Sequence, residues 1–302
     1  MKQIDQFFKW LQYEGRDEKT VKAYRTILGQ FIEWYIGTTG QVNLSDVKPV
    51  TVKEFISYMK HIKNRKQATV NKSIAALKTF FAYLVDEGIT KDNPMTRIKI
   101  QKVQINETVG ESSVAKWLTK TEQERFVGYV EMENNNFKRL RNIAIINLML
   151  YCGLRVSEVE DLKIEDIKVN GNIIITIREG KQGKYAAVTL LNKHSKHLRQ
   201  WLTYRQSIGY EKYTTSSYLF ISERSGKFGA RGIQVMLKKY AEMANMKDIT
   251  PHRFRHSFCK NLANGGAKIE QIRKLARHES IATTAIYIDP SYSEQLQALN
   301  NM

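Results

Sequence analysis

Four side chains near the end of the chain could together bind and attack a phosphate. His252 and Arg255 lie three residues apart, directly after a Thr-Pro step, and His278 and Tyr287 follow them. Proline is favoured at the first position of a helix, so we expect a helix on which residues three apart share a face. Arginine offers a planar pair of donors to phosphate oxygens, and a tyrosine hydroxyl can form a covalent intermediate. With neither a carboxylate pair nor a serine–histidine–aspartate order, the set favours chemistry at phosphorus.

The order of these residues resembles the tyrosine recombinase family, which includes phage-type integrases, Xer-type resolvases and transposon-encoded recombinases. The resemblance rests on H-x-x-R at 252–255, a later histidine, and a tyrosine nine residues after that histidine. The family implies an upstream arginine in a pattern such as G-L-R-x-S-E, and the sequence G-L-R-V-S-E supplies Arg155. It also implies a lysine in a β-hairpin. Lys181, within R-E-G-K-Q-G-K, matches that position, and Lys184 is the alternative.

For the phosphate, the resemblance implies a set of binding residues. Arg155 and Arg255 would stabilise the charge that develops on the non-bridging oxygens, since guanidinium groups stay protonated and bind in a fork. His278 would hydrogen-bond the phosphate or Tyr287. Glu158, on the turn after Arg155, would orient that arginine.

For proton transfer, the resemblance implies a nucleophile, a base and an acid. Tyr287 would form a covalent 3′-phosphotyrosine bond, with Tyr292 as the nearest alternative nucleophile. A free tyrosine has a pKa of roughly 10, so its proton must be removed, and His252 is the candidate base. Lys181 would protonate the leaving 5′-hydroxyl. This chemistry requires no metal ion, ATP or other cofactor.

One position departs from the family pattern. Where the family usually has Leu-Gly-His, this chain has Leu275, Ala276, Arg277 and His278. The substitution bears on the local backbone and charge, and it leaves the histidine itself in place.

The charge of the chain indicates a polyanionic partner. The 302 residues carry 48 lysines and arginines against 30 acidic residues, a formal net charge of +18. Residues 1–105 contain 18 basic and 10 acidic residues, and 106–302 contain 30 and 20, so both parts are basic. Such a field attracts nucleic acid, and the resemblance implies double-stranded DNA. An acidic membrane is the weaker alternative, because no lipid-anchor motif or long apolar run accompanies the charge.

The cysteines and the first residues indicate the compartment. Cys152 and Cys259 do not form a C-x-x-C pair, so neither a disulfide framework nor a zinc site is indicated. His194 and His197 lie three apart on a predicted helix, but no third ligand is near, so a polar helix face is favoured over a metal site. The first residues lack the apolar segment of a signal peptide. We expect a reduced, cytoplasmic protein.

Hydrophobic periodicity predicts a mainly α-helical chain with a small β-sheet. Residues 1–100 are predicted as an N-terminal helical bundle, which the resemblance identifies with a SAM-like core-binding domain. Residues 101–116 are a predicted linker, and 117–302 a catalytic domain with a C-terminal tail. The predicted helices, with Thr119 or Thr121 capping the fifth, lie at 3–13, 18–36, 51–62, 68–87, from 118–124 on, 139–151, 193–209, 230–246 and as short pieces within 252–287. Strands are predicted at 173–177 and 185–190, with a further short one at 218–221.

A basic stretch between the third and fourth predicted helices is a candidate DNA contact. Residues 60–72 contain five lysines and arginines and no acidic residue. Such side chains dominate contacts to the DNA backbone, whereas a solvated loop is the alternative. We expect all five to bind phosphates: Lys60, Lys63, Arg65, Lys66 and Lys72.

Together these features predict a site-specific recombinase that cuts and rejoins DNA. The resemblance further implies a Holliday junction intermediate, a homotetramer on paired recombination sites and possible accessory DNA-binding proteins. Two alternatives stay open: a nicking and closing enzyme like type IB topoisomerases, and a DNA-binding accessory protein without catalysis. The sequence leaves open whether the biological role is integration, excision or resolution.

Overall fold

The computed structural model describes residues 2–101, 117–179, 184–287 and 300, which divide between two compact units, 1–110 and 111–302. The predicted linker, Lys181, Tyr292 and the C-terminal tail fall almost entirely outside the described residues.

The first unit is a bundle of four helices. They are α1 (Lys2–Tyr13), α2 (Glu18–Thr39), α3 (Pro49–Ser57) and α4 (Gln67–Asp86). Asp17 caps α2 by accepting a hydrogen bond from the backbone N–H of Thr20. Apolar residues at helical spacing face one core, in which the rings of Phe31, Phe55 and Phe81 pack edge to face.

The basic stretch 60–72 spans the end of one helix, a short loop and the start of the next, close to the predicted helix bounds of 51–62 and 68–87. A single π-helical turn, Tyr58–Ile62, extends α3, and α4 already begins at Gln67. Only residues 63–66 lie between the helices, because apolar periodicity continues through Met59 on one side and Val70 on the other, and both are buried.

The second unit combines helices with one antiparallel sheet. Its helices are α5 (Lys120–Glu131), α6 (Asn136–Tyr151), α7 (Val156–Asp161), α8 (Lys196–Ser207), α9 (Glu211–Thr214), α10 (Ala230–Met243), α11 (Pro251–Asn264), α12 (Ile269–Ala276) and α13 (Ala282–Ala285). The strands β1 (Ile167–Asn170), β2 (Asn172–Glu179) and β3 (Lys184–Leu190) pair in the order β1-β2-β3.

The sheet places alternate side chains on the core. Ile173, Ile175 and Ile177 on β2 are buried, whereas Ile174 between them is exposed. The prediction of a strand at 218–221 is wrong. Tyr218 makes a single antiparallel bridge to Lys163, and these residues form no strand.

α6 is the centre of the second unit. Ten consecutive residues, 141–150, are buried, because other elements cover the helix on all sides. Phe126 of α5 and Phe254 of α11 pack in the same core, with their rings edge to face. α6 therefore fixes where the G-L-R segment after it and α11 meet. No helix in the described part of the chain is both long and apolar enough to cross a membrane.

Candidate active site

Arg155 stands at the start of α7, where a tight turn follows α6. Gly153 in that turn has a φ of 60°, a left-handed conformation that favours glycine. A Cβ at this position would lie 2.4 Å from the ring of Phe258 on α11, so both the backbone angle and the space require glycine. The turn thereby brings the segment with Arg155 against α11.

Arg255, on α11, joins three segments of the sequence motif. Its guanidinium donates to the carbonyl of Gly153 at 2.5 Å and also to the carbonyl of Ala276 at the end of α12. Burial lowers the pKa of Arg255 to about 10, with the positive charge of Arg155 as the next cause, so the group stays protonated at neutral pH. One side chain thus fixes the backbone two residues before Arg155 and two residues before His278.

Glu158 hydrogen-bonds Arg155 through both of its carboxylate oxygens. Its Oε1 accepts from Nη1 of Arg155 at 2.7 Å, and its Oε2 accepts from the backbone N–H of Arg155 at 2.7 Å. The carboxylate accepts a third hydrogen bond, 2.6 Å long, because its Oε2 also accepts from Nη2 of Arg277. This last contact, between residues 119 apart, has no local sequence signal.

His278 is buried two residues after the end of α12. Its Nδ1 shares a 2.9 Å hydrogen bond with the hydroxyl of Thr284, which is itself buried on α13. Burial, together with the positive charges of Arg255 and Arg155, lowers the pKa of His278 to about 4. The imidazole is therefore neutral at pH 7, and its remaining nitrogen is available to a ligand.

Tyr287 is buried, and its hydroxyl already has a partner. Its ring packs in a small apolar cluster with Cys259 and Ile272, and its hydroxyl shares a hydrogen bond with Nδ1 of His256. Burial raises the pKa of Tyr287, and the neighbouring Cys259 raises it further. The phenol is therefore protonated in this arrangement.

His256 is the contact that reasoning from the sequence missed. It follows Arg255 directly and lies four residues after His252, so both imidazoles are on one face of α11, with ring centroids 6.5 Å apart. The i, i+4 spacing of two histidines on a predicted helix was the available signal. The predicted base, His252, is exposed at the start of α11, one turn from the histidine that touches Tyr287.

Of the two candidate hairpin lysines, the structure describes one. Lys181 lies outside the described residues, and Lys184 is the first residue of β3. His194 ends a 3₁₀ turn, where it stacks on Tyr151 at a centroid distance of 3.9 Å, and His197 lies on α8, which begins at Lys196. Among the described residues, no cluster of histidine, cysteine and carboxylate side chains could hold a metal ion.

The basic residues of the stretch 60–72 are mostly exposed to solvent. Four of the five predicted contacts are exposed, namely Lys63, Arg65, Lys66 and Lys72. Lys60 is half-buried and donates to the side chain of Gln101 at 2.8 Å.

Two family comparisons cover most of the chain. Residues 116–294 match the Phage integrase family, and residues 4–88 match the family described as Phage integrase, N-terminal SAM-like domain. The TnP I resolvase of Bacillus thuringiensis is 31% identical over 98% of this chain and 97% of that protein. The tyrosine recombinase XerC of Roseiflexus castenholzii is 28% identical over 94% of this chain and 88% of that protein.

Solved structures share the fold. The XerH site-specific recombinase bound to palindromic difH substrate has a TM-score of 0.72 at 21% identity, over 92% of this chain and 78% of that one. The Tn1549 transposon integrase in complex with circular intermediate DNA has a TM-score of 0.71 at 22% identity, over 98% of each chain.

Proposed function

The chain belongs to the phage integrase family, whose members are tyrosine recombinases that cut and rejoin DNA, and we propose that Tyr287 is its nucleophile at specific sites in double-stranded DNA. The observation that carries the proposal is the guanidinium of Arg255, which donates to the carbonyl of Gly153, two residues before Arg155, and to that of Ala276, two residues before His278. Through it the separate segments of the motif form one site.

Catalysis at this site is mostly charge stabilisation. Arg155 is 38% exposed and can bind the non-bridging oxygens of a phosphodiester directly. Arg255 is buried and adds positive charge behind it while holding the segments together. Neutral His278 completes the set as a hydrogen-bonding partner for a phosphate oxygen.

Attack by Tyr287 requires a movement and a proton acceptor. Because its side chain is only 1% exposed, the segment that carries it must move before the hydroxyl reaches DNA. His256 already shares a hydrogen bond with that hydroxyl, so it competes with His252 for the role of base. The phosphotyrosine bond retains the energy of the broken phosphodiester, and a second 5′-hydroxyl can recover it without ATP or a metal ion.

We extend the proposal to the partners. The exposed basic residues Lys63, Arg65, Lys66 and Lys72 bind DNA phosphates, with Lys60 beside them. Relatives that were solved on recombination sites or transposon DNA support DNA as the partner. The chain acts as a homotetramer on paired sites, through a Holliday junction, in the cytoplasm, with or without accessory DNA-binding proteins.

The nucleophile is tested on a selected duplex. A pool of random-sequence duplexes is selected for binding to the full chain and then nicked at successive positions, so that cleavage is trapped as a covalent adduct. We expect the wild type to form an adduct and Tyr287→Phe to bind equally but form none. The control Tyr210→Phe removes an exposed hydroxyl of the same unit and should form the adduct normally. An adduct with Tyr287→Phe would transfer the role to another residue, Tyr292 first.

The leaving-group acid is tested with sulfur. A duplex with a 5′-bridging sulfur releases a thiolate, which needs little protonation. We expect it to restore cleavage by Lys181→Ala and to change Lys184→Ala little. Selective rescue of Lys184→Ala would assign the acid to Lys184.

A two-site assay separates recombination from nicking and closing. Two duplexes that carry the selected site should exchange strands, and the complex should contain four protomers by native mass spectrometry. Relaxation of supercoiled DNA without exchange, by a single protomer, would favour the topoisomerase-like alternative.

A further inference from the structure

Residue 277 departs from the family pattern, and its backbone is strained. Arg277 directly follows α12 as its C-terminal cap, with φ 55° and ψ 49°, the left-handed conformation that glycine adopts without strain. For any other residue this conformation costs roughly 1 kcal/mol or more. An arginine here therefore has a local cost that the glycine usual in the family avoids.

The side chain of Arg277 turns inward rather than into solvent. It is 9% exposed, and Nη2 donates to Oε2 of Glu158 at 2.6 Å. Its Nε and Nη1 each expose less than 1 Å² and have no hydrogen-bond partner among the described residues. Burying unpaired donors of a cation is unfavourable, so stability alone does not account for this side chain.

Its contacts close a ring with Arg155. Glu158 receives Nη1 of Arg155 on one oxygen and Nη2 of Arg277 on the other. The free end of the Arg155 guanidinium, Nη2, donates to the carbonyl of Arg277 at 3.1 Å. Residue 277 thus holds the Arg155 guanidinium with its backbone and, through the carboxylate of Glu158, with its side chain.

Exposure separates the roles of these two arginines. Arg155 is 38% exposed and can reach a phosphate, whereas the unpartnered nitrogens of Arg277 are sealed from solvent. Arg277 therefore cannot bind the scissile phosphate in this arrangement. Arg277 holds the carboxylate of Glu158, which in turn holds Arg155. Because Arg277 partly neutralises that carboxylate, more of the positive charge of Arg155 remains available to the phosphate.

We propose that Arg277 is a positioning residue for the cleavage step, which sets the pose and the effective charge of Arg155 through Glu158. The inference rests on the proposed cleavage of DNA by Tyr287. It predicts a defect in the rate of the chemical step, rather than in affinity for DNA, when the charge at residue 277 is removed.

The test measures single-turnover adduct formation on the selected nicked duplex over a range of DNA concentrations. We expect Arg277→Gly, the residue usual in the family, to lower the rate at saturation by about 10- to 100-fold, as for other losses of catalytic alignment. The DNA concentration at half-saturation and the salt dependence of binding should stay unchanged. Arg277→Lys keeps the cation without the fork and should recover part of the lost rate.

A double-mutant cycle identifies the route. Glu158→Gln should lower the rate, and adding Arg277→Gly to it should lower the rate little further, because both changes break one connection. The proposal would be overturned if the rate losses of the two single variants multiplied in the double variant. It would also be overturned if Arg277→Gly needed more DNA for half-saturation with a shallower salt dependence, or if it cleaved at the wild-type rate.

A second substrate separates positioning from a loss of folding. A methylphosphonate at the scissile linkage carries no charge on its non-bridging atoms, so it relies less on Arg155. The deficit of Arg277→Gly should shrink on this substrate, whereas a misfolded protein would be equally slow on both and would melt at a lower temperature. Absence of any adduct with the wild type would refute the proposed function, and this inference with it. An adduct with the wild type and no deficit in Arg277→Gly would refute this inference alone.

Discussion

The two units bury different kinds of side chain. Among the described side chains of the first unit, none that is charged is buried, and the core is made of aromatic and aliphatic residues. Among its own described residues, the second unit buries six charged side chains, some at the candidate active site and some far from it: Arg141, Asp166, Arg205, Arg253, Arg255 and Lys260. The first unit keeps its charge on the surface, whereas the second holds part of it inside.

The difference follows from the work that each charge does. A surface lysine meets DNA phosphates through solvent, where each contact is weak, salt-dependent and replaceable. A buried guanidinium has a fixed direction and acts in a medium of low dielectric, where its field is strong. We therefore expect substitutions of exposed basic residues in the first unit to change binding, and substitutions of the buried charges at the candidate active site of the second unit to change chemistry.

The largest effect should come from Arg255→Lys. The lysine keeps the charge but cannot bond the carbonyls of Gly153 and Ala276 together, so adduct formation at saturating DNA should fall by about 100- to 1000-fold. The matched control is Arg205→Lys, which also removes a buried guanidinium whose Nη2 donates to two carbonyls, those of Tyr213 and Ser216. The control should melt at a lower temperature and cleave normally. Equal loss of cleavage in both would mean that any buried arginine matters only for folding.

Gly153→Ala should destabilise the second unit strongly. The positive φ and the 2.4 Å approach to Phe258 together cost about 3 kcal/mol of unfolding free energy. Gly29→Ala, in an open position on α2 of the first unit, should instead stabilise by about 0.5–1 kcal/mol. Denaturant titration of both variants checks the signs, and a neutral Gly153→Ala would show that the turn adapts.

Acid should destabilise the second unit through His278. Because its pKa in the folded protein is lowered from 6.5 to about 4, the stability contributed by the neutral imidazole is complete above pH 6.5 and is lost as the pH falls towards 4. Between pH 7 and pH 5 the loss is about 2 kcal/mol. In His278→Gln this part of the pH dependence should vanish in thermal unfolding measured at both pH values. A variant as acid-sensitive as the wild type would place the titrating group elsewhere.

The smallest effect on chemistry should come from the first unit. Replacing Lys63, Arg65 and Lys66 with alanine should reduce the log–log salt slope of DNA binding by up to about 0.9 per residue and leave cleavage at saturation unchanged. The control removes equal charge from other exposed lysines of the unit: Lys9, Lys19 and Lys22. Equal slopes for the two triple variants would mean that only net charge matters.

The sequence predicts the parts of this molecule that depend on local spacing. The helices, the β2–β3 hairpin and the order of motif residues follow from periodicity and short patterns. Thr119 and Thr121 each precede a glutamate by three residues, so the helix cap was ambiguous. In the structure Thr119 is the cap, because Leu118 before it is buried and its N–H donates to Ser257.

The parts that were missed depend on packing between distant segments. The contact of Arg277 with Glu158 arises only when the end of α12 meets the start of α7, and no spacing rule covers 119 residues. The bond between His256 and Tyr287 likewise needs α11 to lie beside the segment after α13. β1 was missed because it is short and at the sheet edge, with no buried residue to mark a period.

The hydrogen bond between His278 and Thr284 has a mechanical consequence for Tyr287. The N–H of Tyr287 donates to the carbonyl of Thr284 at 3.1 Å, so the tyrosine and the threonine belong to one short turn. If that turn swings outward as a unit, it pulls the threonine hydroxyl off the imidazole and frees a histidine nitrogen at the same moment. Exposure of the Tyr287 hydroxyl and release of Nδ1 of His278, which can then hydrogen-bond the phosphate, are in that case one event. A single unproductive nick is therefore harder to start.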